Sequence, residues 1–520
     1  TYLNGARVQG SSPLQPGDEV RIGSTTFSVA GAPAAGGKPT SVASSSGATR
    51  LAEGPTQPVA AASGLPPFEG RQRSAGSGDA ATRRWVLPAV VALIVVAIGI
   101  GVGWWLLTKN DSPSKSGNAA SGNQPNNQPV DTADVSHIVY VESNIAQPDK
   151  NSILVIRYHS GDISPIQPIS SFPTGGSGSA DLTDSGVLDA DQQVIVNPDR
   201  TLLFAVNQGS DSIAVFHILS NGDLEAVDGS PFPSGGKGPA SLGLVGDTLV
   251  VANKAQDGIR DLSTTAPNYT SFTVQSSGAL EPVAGSTISL PEGSSPTHAL
   301  ALADDRLIIG TEEAGPLVAL RVDAEGHLAH GPNSPLDPDP QIFGSGFPAP
   351  KEFALGLGAV PSSHLLYIAM PTVPALATYS YSASGRLRFI SSVPVAGSFL
   401  PCWVQITQDG RWLYTSDAAT DSLTVFDIHT NPVRPRQIQT VALEGPGNPW
   451  NIKLDPNDDV LFSLTPRDTL SVPLGEGNTL HALTIGSDGK LTETSSSPLK
   501  LPVPQDANPQ GLAVIPGQSP

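Results

Sequence analysis

The chain has 520 residues, with 47 Asp and Glu against 28 Lys and Arg, and a formal net charge of −19. The acidity lies in residues 137–520, which hold 18 basic and 39 acidic residues, a net charge of −21. Such a region repels nucleic acid and anionic lipid, which argues against both as its partners. Cys402 is the single cysteine of the chain, so no intrachain disulfide can form.

The first thirty residues are predicted to form short strands joined by tight turns. Asn4-Gly5 follows an apolar pair, Pro16–Gly23 places Gly-Asp before an alternating run, and Phe27–Val29 is a further apolar run. This order of motifs resembles the last strands of forkhead-associated (FHA) domains, β-sandwiches that bind phosphothreonine peptides. The resemblance implies that residues 1–30 are the C-terminal fragment of such a domain, with a phosphothreonine protein as the partner of the complete domain.

The same resemblance assigns one peptide-binding position. Asn4 matches a family position that helps to hold the peptide, whereas the family's phosphate-binding Arg, Ser and Asn lie upstream of this stretch. Thr1 is not a methionine, and the motif begins inside the expected fold. We therefore expect the chain to be a fragment of a longer protein.

A single membrane span is predicted at residues 83–108. From Trp85 to Leu107 the chain runs for 23 residues without a charge, long enough for a helix to cross the hydrocarbon core, and Trp residues stand at both ends. The flanking segments, residues 31–82 and 109–136, are rich in Ser, Gly and Pro and are predicted to be disordered linkers.

The charges beside this span predict its orientation. Arg71, Arg73, Arg83 and Arg84 precede the uncharged run, whereas the two lysines that follow it stand near an aspartate. Because basic residues stay on the cytoplasmic side, we expect a cytoplasmic N-terminus and an extracytoplasmic acidic region.

Residues 137–516 contain one unit repeated seven times, with successive copies 46 to 64 residues apart. Each copy carries a short apolar strand, centred in turn on Tyr140, Phe204, Val250, Ile308, Tyr367, Tyr414 and Phe462. A second alternating run follows, as in Ser212–Ile218, which is the period of a half-buried strand. The repeat predicts an all-β, seven-bladed β-propeller over 137–516.

Two further patterns define the blades. A glycine, suited to the positive φ of a tight hairpin, follows the second run in six copies, at Gly161, Gly222, Gly278, Gly326, Gly385 and Gly489. The first copy begins at its second strand, while Gln510–Pro516 matches the innermost strand of the other copies. The C-terminus is therefore predicted to complete the first blade.

The ring also resembles a known family. Asn197–Asn207, Ser210–Phe216, Asn221–Leu224 and Ser230–Phe232 carry the motifs, which are similar to those of lactonase-like seven-bladed propellers, the family of the propeller-type 6-phosphogluconolactonase, and of the related YVTN-repeat propellers. The resemblance covers essentially all of 137–516. It implies the fold but not one activity, because one fold hosts many.

Aligned copies predict which side chains meet at the axis. The inner strand of each blade starts at an equivalent point, so polar and aromatic residues at these points should surround one mouth of the channel and bind a ligand there. The positions are Gln193, Ser241, His298, Glu352, Trp403, Asn451 and Gly511.

The lactonase resemblance also implies a catalytic pair. Members of that family commonly carry Gly-Pro-Arg-His at the start of one inner strand and Asn-Glu after the next, where this chain has Ser295–His298 and Thr311-Glu312. Opening a lactone needs a general base and a cation or donor for the oxyanion. His298 with Glu312 would supply the base, whereas Thr297 replaces the arginine and leaves the oxyanion and any substrate phosphate without a guanidinium.

No metal site and no cofactor are predicted. Three acidic clusters, Asp189–Asp191, Asp337–Asp339 and Asp455–Asp459, could hold calcium, but Asp and Asn beside Pro favour ordinary turns.

The sequence leaves two classes of function open. The favoured one is a membrane-anchored sensor or adaptor whose propeller binds a small molecule, glycan or protein while the FHA module binds phosphorylated partners. The alternative is a surface-tethered lactone hydrolase.

Overall fold

The computed structural model describes residues 134–179, 189–258, 260–313, 315–342, 354–467 and 475–517, and the backbone of four short strands before residue 30. The chain divides into two compact units, Thr1–Gly76 and Ser77–Pro520.

The N-terminal unit contains one antiparallel sheet. Its strands are β1 (Tyr2–Leu3), β2 (Ala6–Arg7), β3 (Glu19–Ile22) and β4 (Thr25–Ser28), in the order β2-β1-β3-β4. The predicted FHA site residue Asn4 lies outside the described residues, as do both linkers up to residue 133 and the predicted span at 83–108. Among the residues that are described, no helix is long and apolar enough to cross a membrane.

Thirty strands build the second unit. In chain order they are β5 (Val135–Glu142), β6 (Ser152–His159), β7 (Pro165–Pro173), β8 (Val194–Val196), β9 (Leu202–Asn207), β10 (Ser212–Ile218), β11 (Leu224–Ala226), β12 (Phe232–Pro233), β13 (Pro239–Val245), β14 (Thr248–Asn253), β15 (Asn268–Val274), β16 (Leu280–Ser289), β17 (Leu300–Leu302), β18 (Leu307–Gly310), β19 (Val318–Val322), β20 (Leu328–His330), β21 (Leu357–Val360), β22 (Leu365–Met370), β23 (Ala375–Tyr381), β24 (Leu387–Pro394), β25 (Pro401–Ile406), β26 (Trp412–Asp417), β27 (Ser422–Asp427), β28 (Arg436–Ala442), β29 (Ile452–Leu454), β30 (Val460–Thr465), β31 (Thr479–Ile485), β32 (Leu491–Glu493), β33 (Leu499–Lys500) and β34 (Gln510–Pro516). Short 3₁₀ turns lie at Gln208–Ser210, Ala303–Asp305, Pro361–Ser363 and Ala418–Thr420.

These strands form seven antiparallel sheets, one for each predicted repeat. Blade 1 has the order β34-β5-β6-β7, and blades 3 to 6 are β13–β16, β17–β20, β21–β24 and β25–β28. Blade 2 is β8–β11 with β12 beside β10, and blade 7 is β29–β32 with β33 beside β31. The innermost strand of each blade contacts the innermost strands of its two neighbours. The prediction of a seven-bladed propeller is therefore confirmed.

The C-terminal strand closes the ring as its sequence predicted. β34 pairs antiparallel with β5, placing Leu512 opposite Val141 and Val514 opposite Val139. Both ends of the ring thus share one sheet, which leaves no unpaired edge at the joint.

Side chains of the second strand of a blade point alternately toward its two neighbouring blades and fill the spaces between them. In β9, Leu202, Phe204 and Val206 pack against blade 3, whereas Leu203 and Ala205 pack against blade 1. Successive side chains of a strand point to opposite faces, so a strand between two blades needs apolar residues at every position. This explains why these runs in the sequence are continuously apolar.

The outer hairpins have the predicted glycine conformation in five of six copies. Gly222, Gly278 and Gly326 have positive φ, as do Gly385 and Gly489. Blade 1 differs, because Ile163 takes the positive φ of 50° there and Gly161 does not. The prediction for Gly161 was wrong.

Candidate functional site

The structure brings several of the predicted axial residues together. Gln193 precedes β8, His298 precedes β17 and Asn451 precedes β29, and their side chains are buried with at most 1% exposure. Trp403 in β25 is equally buried. Ser241 has a different role, because its hydroxyl accepts the Ala299 N–H at 3.0 Å and so joins blade 3 to blade 4. Glu352 lies outside the described residues.

An amide network links blades 7, 1 and 2 at this mouth. Asn451 donates from Nδ2 to Gln193 Oε1 at 3.3 Å, and its Oδ1 accepts the Gly511 N–H at 2.9 Å. Gln193 in turn donates to Gln510 Oε1 at 3.3 Å. These bonds cross three blades, which is possible only near the axis.

A short segment, Asp189–Gln193, lies across this mouth, and we call it the strap. The Asp191 N–H donates to the Thr297 carbonyl of blade 4 at 3.1 Å, and the Gln192 carbonyl accepts the Leu242 N–H of blade 3 at 3.1 Å. Gln192 has a φ of 61°, a left-handed conformation that is unfavourable for a residue with a side chain. The bonds to both blades hold it there.

The strap places Asp191 beside His298. Asp191 Oδ2 lies 4.0 Å from His298 Nε2, whereas its Oδ1 accepts hydrogen bonds from Asn451 Nδ2 at 3.0 Å and from the Gln192 N–H at 2.8 Å. One carboxylate oxygen is thus held in place while the other faces the imidazole. The 4.0 Å gap is too long for a direct hydrogen bond, but one oxygen atom can contact both groups.

The backbone determines which proton His298 carries. The Leu357 N–H donates to its Nδ1 at 3.3 Å, so Nδ1 must hold a lone pair and Nε2 the proton in the neutral ring. Burial lowers the pKa of His298 to about 4, opposed by Asp191 and assisted by Lys453. At neutral pH His298 therefore presents an N–H donor toward Asp191.

Three buried polar atoms of this cluster have no hydrogen-bond partner among the described residues. They are Asp191 Oδ2, His298 Nε2 and Trp403 Nε1. The Trp403 indole meets the His298 ring edge to face, with centroids 6.2 Å apart. Because unsatisfied buried polar atoms cost free energy, such a set indicates a place that water or a ligand fills.

Lys453 adds a positive charge. It stands in the middle of β29, two residues after Asn451, and is intermediate in burial between two buried neighbours. Burial lowers the pKa of its ammonium, and the charge of Asp191 opposes that shift. Asp191, Gln193, His298, Trp403, Asn451 and Lys453 form what we call the axial cluster.

Glu312, the predicted partner of His298, follows β18 in blade 4. It forms a β-bridge with Pro296. Burial raises the pKa of Tyr269, and the charge of Glu312 adds to that shift. The Tyr269 hydroxyl donates to the His298 carbonyl at 3.0 Å. Thr297, at the position of the family's arginine, has its hydroxyl 2.8 Å from that of Thr311. Catalysis by His298 with Glu312 stays a prediction.

Asp191 and Lys453 were missed as axial residues, although each left a signal. Asp191 was assigned to a turn with its acidic neighbours, but it lies two residues before the axial Gln193. Lys453 follows Asn451 by the same interval, and strand alternation alone would have placed it toward the channel.

Other acidic clusters behave as turns. Asp455 accepts the backbone N–H groups of Asn457, Asp459 and Val460, and Asp339 accepts that of Gln341. Asp323, Glu325 and His327 gather at an exposed hairpin at a spacing that a metal ion could bridge. Exposed groups of this kind are common without an ion, so we assign no site to them.

Comparison with known proteins agrees with the fold. Three solved structures superpose on the chain: the periplasmic gluconolactonase of Pseudomonas aeruginosa (16% identity, TM-score 0.56, 73% of this chain and 98% of that one), a putative 6-phosphogluconolactonase from Bacteroides fragilis (16%, 0.53, 74% and 99%) and one from Bacteroides uniformis (14%, 0.52, 73% and 99%). At these identities the likeness concerns the fold alone.

No curated protein matches the chain significantly in sequence. The family described as "Lactonase, 7-bladed beta-propeller" matches residues 149–266 and 268–473, more than half of the chain. The chain therefore belongs to the lactonase family of seven-bladed β-propellers.

Proposed function

We propose that the ring is a lactone hydrolase whose reaction centre is the axial cluster. The observation that carries the proposal is the facing pair of Asp191 Oδ2 and His298 Nε2, both buried and 4.0 Å apart. One is an acceptor and the other a donor, and a bound oxygen atom can contact both. Ester hydrolysis needs this pairing of a base with an oxyanion donor.

In the proposed reaction Asp191 is the base in place of Glu312, and His298 is a hydrogen-bond donor and not part of the base. Asp191 Oδ2 accepts a proton from water while the water oxygen attacks the lactone carbonyl carbon. The His298 N–H and the Lys453 ammonium stabilise the negative charge on the carbonyl oxygen. The bond between the acyl carbon and the ring oxygen then breaks, and the proton passes from Asp191 to that oxygen. The product is a hydroxy acid, and Lys453 takes the part of the missing arginine.

The experiment is lactone turnover by the purified protein, followed as proton release above the spontaneous rate. We expect Asp191→Asn to lower kcat at least about 100-fold, because an amide cannot accept the proton. Asp199→Asn, at an exposed turn, is the matched control and should keep full activity. His298→Ala and Glu312→Gln test the pair first predicted from sequence. If Glu312→Gln abolishes turnover and Asp191→Asn does not, the assignment to Asp191 is wrong.

We also propose that residues 83–108 anchor the protein in the membrane with the ring outside. The uncharged run from Trp85 to Leu107 and the arginines before it support this arrangement. A cysteine at Ser116 should react with a membrane-impermeant maleimide on intact cells, and one at Ser45 should not. Cys402 is buried and should give no background. Labelling at Ser45 alone would reverse the topology.

A second candidate is the membrane-anchored sensor or adaptor. The FHA-like motifs of residues 1–30 favour it, because they imply a phosphothreonine partner for the complete domain, with Asn4 at the peptide. In this case the ring would bind a small molecule, glycan or protein at its axis without turnover. Calorimetric binding of an unreacted lactone, changed by Asp191→Asn while no proton release occurs, would support the sensor and exclude the hydrolase.

A further inference from the structure

A buried ion pair outside the axial cluster also binds the strap. Lys254 follows β14 in blade 3 and donates from Nζ to the Asp189 carbonyl at 2.6 Å. Its ammonium lies 3.5 Å from Glu313 Oε2, and the two side chains are 0% and 4% exposed. Ser295 donates to the same Glu313 oxygen at 2.9 Å. This ion pair thus joins blade 3, the strap and blade 4.

Burying this ion pair costs free energy. Burying an ammonium and a carboxylate removes both from water, and the attraction between them offsets this cost only when further hydrogen bonds are made. Here the shortest bond of the Lys254 ammonium goes to a strap carbonyl and not to its carboxylate partner. The pair therefore fixes the strap, two residues before Asp191.

We propose that Lys254 is a positioning residue for Asp191, charge-balanced by Glu313. The inference rests on the proposed function for its effect on turnover, but the placement of Asp191 can be measured without any substrate. The strap is not a blade strand, and without the Asp189 anchor fewer bonds, among them those of Asp191 and Gln192 to blades 4 and 3, would oppose relaxation of the left-handed Gln192. Asp191 would then move away from His298.

The test compares Lys254→Met with the double variant Lys254→Met/Glu313→Gln. The single change removes the bond to the strap and leaves an unpaired buried carboxylate, whereas the double change removes the bond without that charge. Lys237→Met removes an exposed lysine paired with Asp211 and is the matched control. The readouts are kcat and KM, the ¹⁵N chemical shift of His298 Nε2 at neutral pH, and the melting temperature.

We expect both Lys254 variants to lower kcat about 10-fold or more with little change in KM, and to shift the His298 Nε2 resonance. The double variant should melt higher than the single one, which separates folding from positioning. An unchanged His298 resonance in the folded double variant overturns the proposal. A shifted resonance in a protein that hydrolyses no lactone keeps the positioning role and refutes only the hydrolase.

Discussion

Two carboxylic acids are buried at equivalent points of different blades. Glu142 ends β5 and Asp417 ends β26, positions that Asn207 and Asn253 occupy in blades 2 and 3. Burial raises the pKa of Glu142 from 4.5 to about 8, against the hydrogen bond from Asn151, and that of Asp417 from 3.8 to about 7, against hydrogen bonds from hydroxyls such as that of Thr424. Near neutral pH the folded ring therefore keeps Glu142 mostly protonated and Asp417 about half protonated.

These acids should make the ring less stable at alkaline pH. Between the ordinary pKa and the raised one, the folded state holds protons that the unfolded state has released, so stability falls as pH rises through about 4 to 8 and levels off above. Glu142→Gln should match the parent protein at pH 4 and exceed it at pH 9, with the difference growing by at most about 1.4 kcal/mol per pH unit.

Denaturant unfolding of the same proteins at several pH values measures this difference. Asp417→Asn should behave like Glu142→Gln, and Glu225→Gln, at an exposed position of β11, is the control. A constant difference between Glu142→Gln and the parent protein across this pH range would show that Glu142 does not change its ionisation on folding.

At the scale of elements, a tyrosine joins each of several blades to the outer hairpin of the next. Tyr140 of β5 donates to the Gly222 carbonyl of blade 2 at 3.0 Å, and Tyr414 of β26 donates to the Gly489 carbonyl of blade 7 at 3.0 Å. Tyr367 does the same to the loop after β27, at Pro432. These bonds explain why a tyrosine at the middle of the second strand recurs together with the hairpin.

Removing one hydroxyl should therefore loosen a blade contact. Tyr140→Phe and Tyr414→Phe should each lower the free energy of unfolding by about 1 kcal/mol, because each leaves a hairpin carbonyl without its donor. Tyr158→Phe is the control, since that hydroxyl is buried and has no partner among the described residues. It should leave stability unchanged or raise it. Equal losses in all three variants would mean that the bonds to the hairpins contribute nothing specific.

At the scale of the whole molecule, stability depends on closure. The inner strand of blade 1 comes from the C-terminus and its other three strands from the start of the ring. Without β34, the edge of β5 is exposed to pairing with other chains. All seven blades are involved, because each inner strand packs on its two neighbours.

Deleting Gln510–Pro520 from a chain that starts at Ser136 should lower the melting temperature and broaden the transition. Deleting Gln518–Pro520 alone keeps all of β34 and is the control. Calorimetry measures both. A shortened ring that melts like the full one would show that β34 is dispensable for closure.

The amino-acid sequence by itself determined the seven blades, the closing strand and the inner positions of Gln193, His298 and Asn451. These features depend on periodicity within a repeat, and each blade restates the same local pattern of apolar and polar residues. Alternation could equally have assigned Lys453 to the axis, because it follows the axial Asn451 by two residues.

Only the tertiary structure decided the chemistry at the axis. Asp191 reaches His298 because the strap crosses from blade 2 to blades 3, 4 and 7, through bonds to Leu242, Thr297 and Asn451. The tautomer of His298 follows from the Leu357 N–H, which lies 59 residues away. Spacing could place Asp191 near the axis, two residues before Gln193, but it could not pair Asp191 with His298, because contacts between residues so far apart in the chain leave no trace in local spacing.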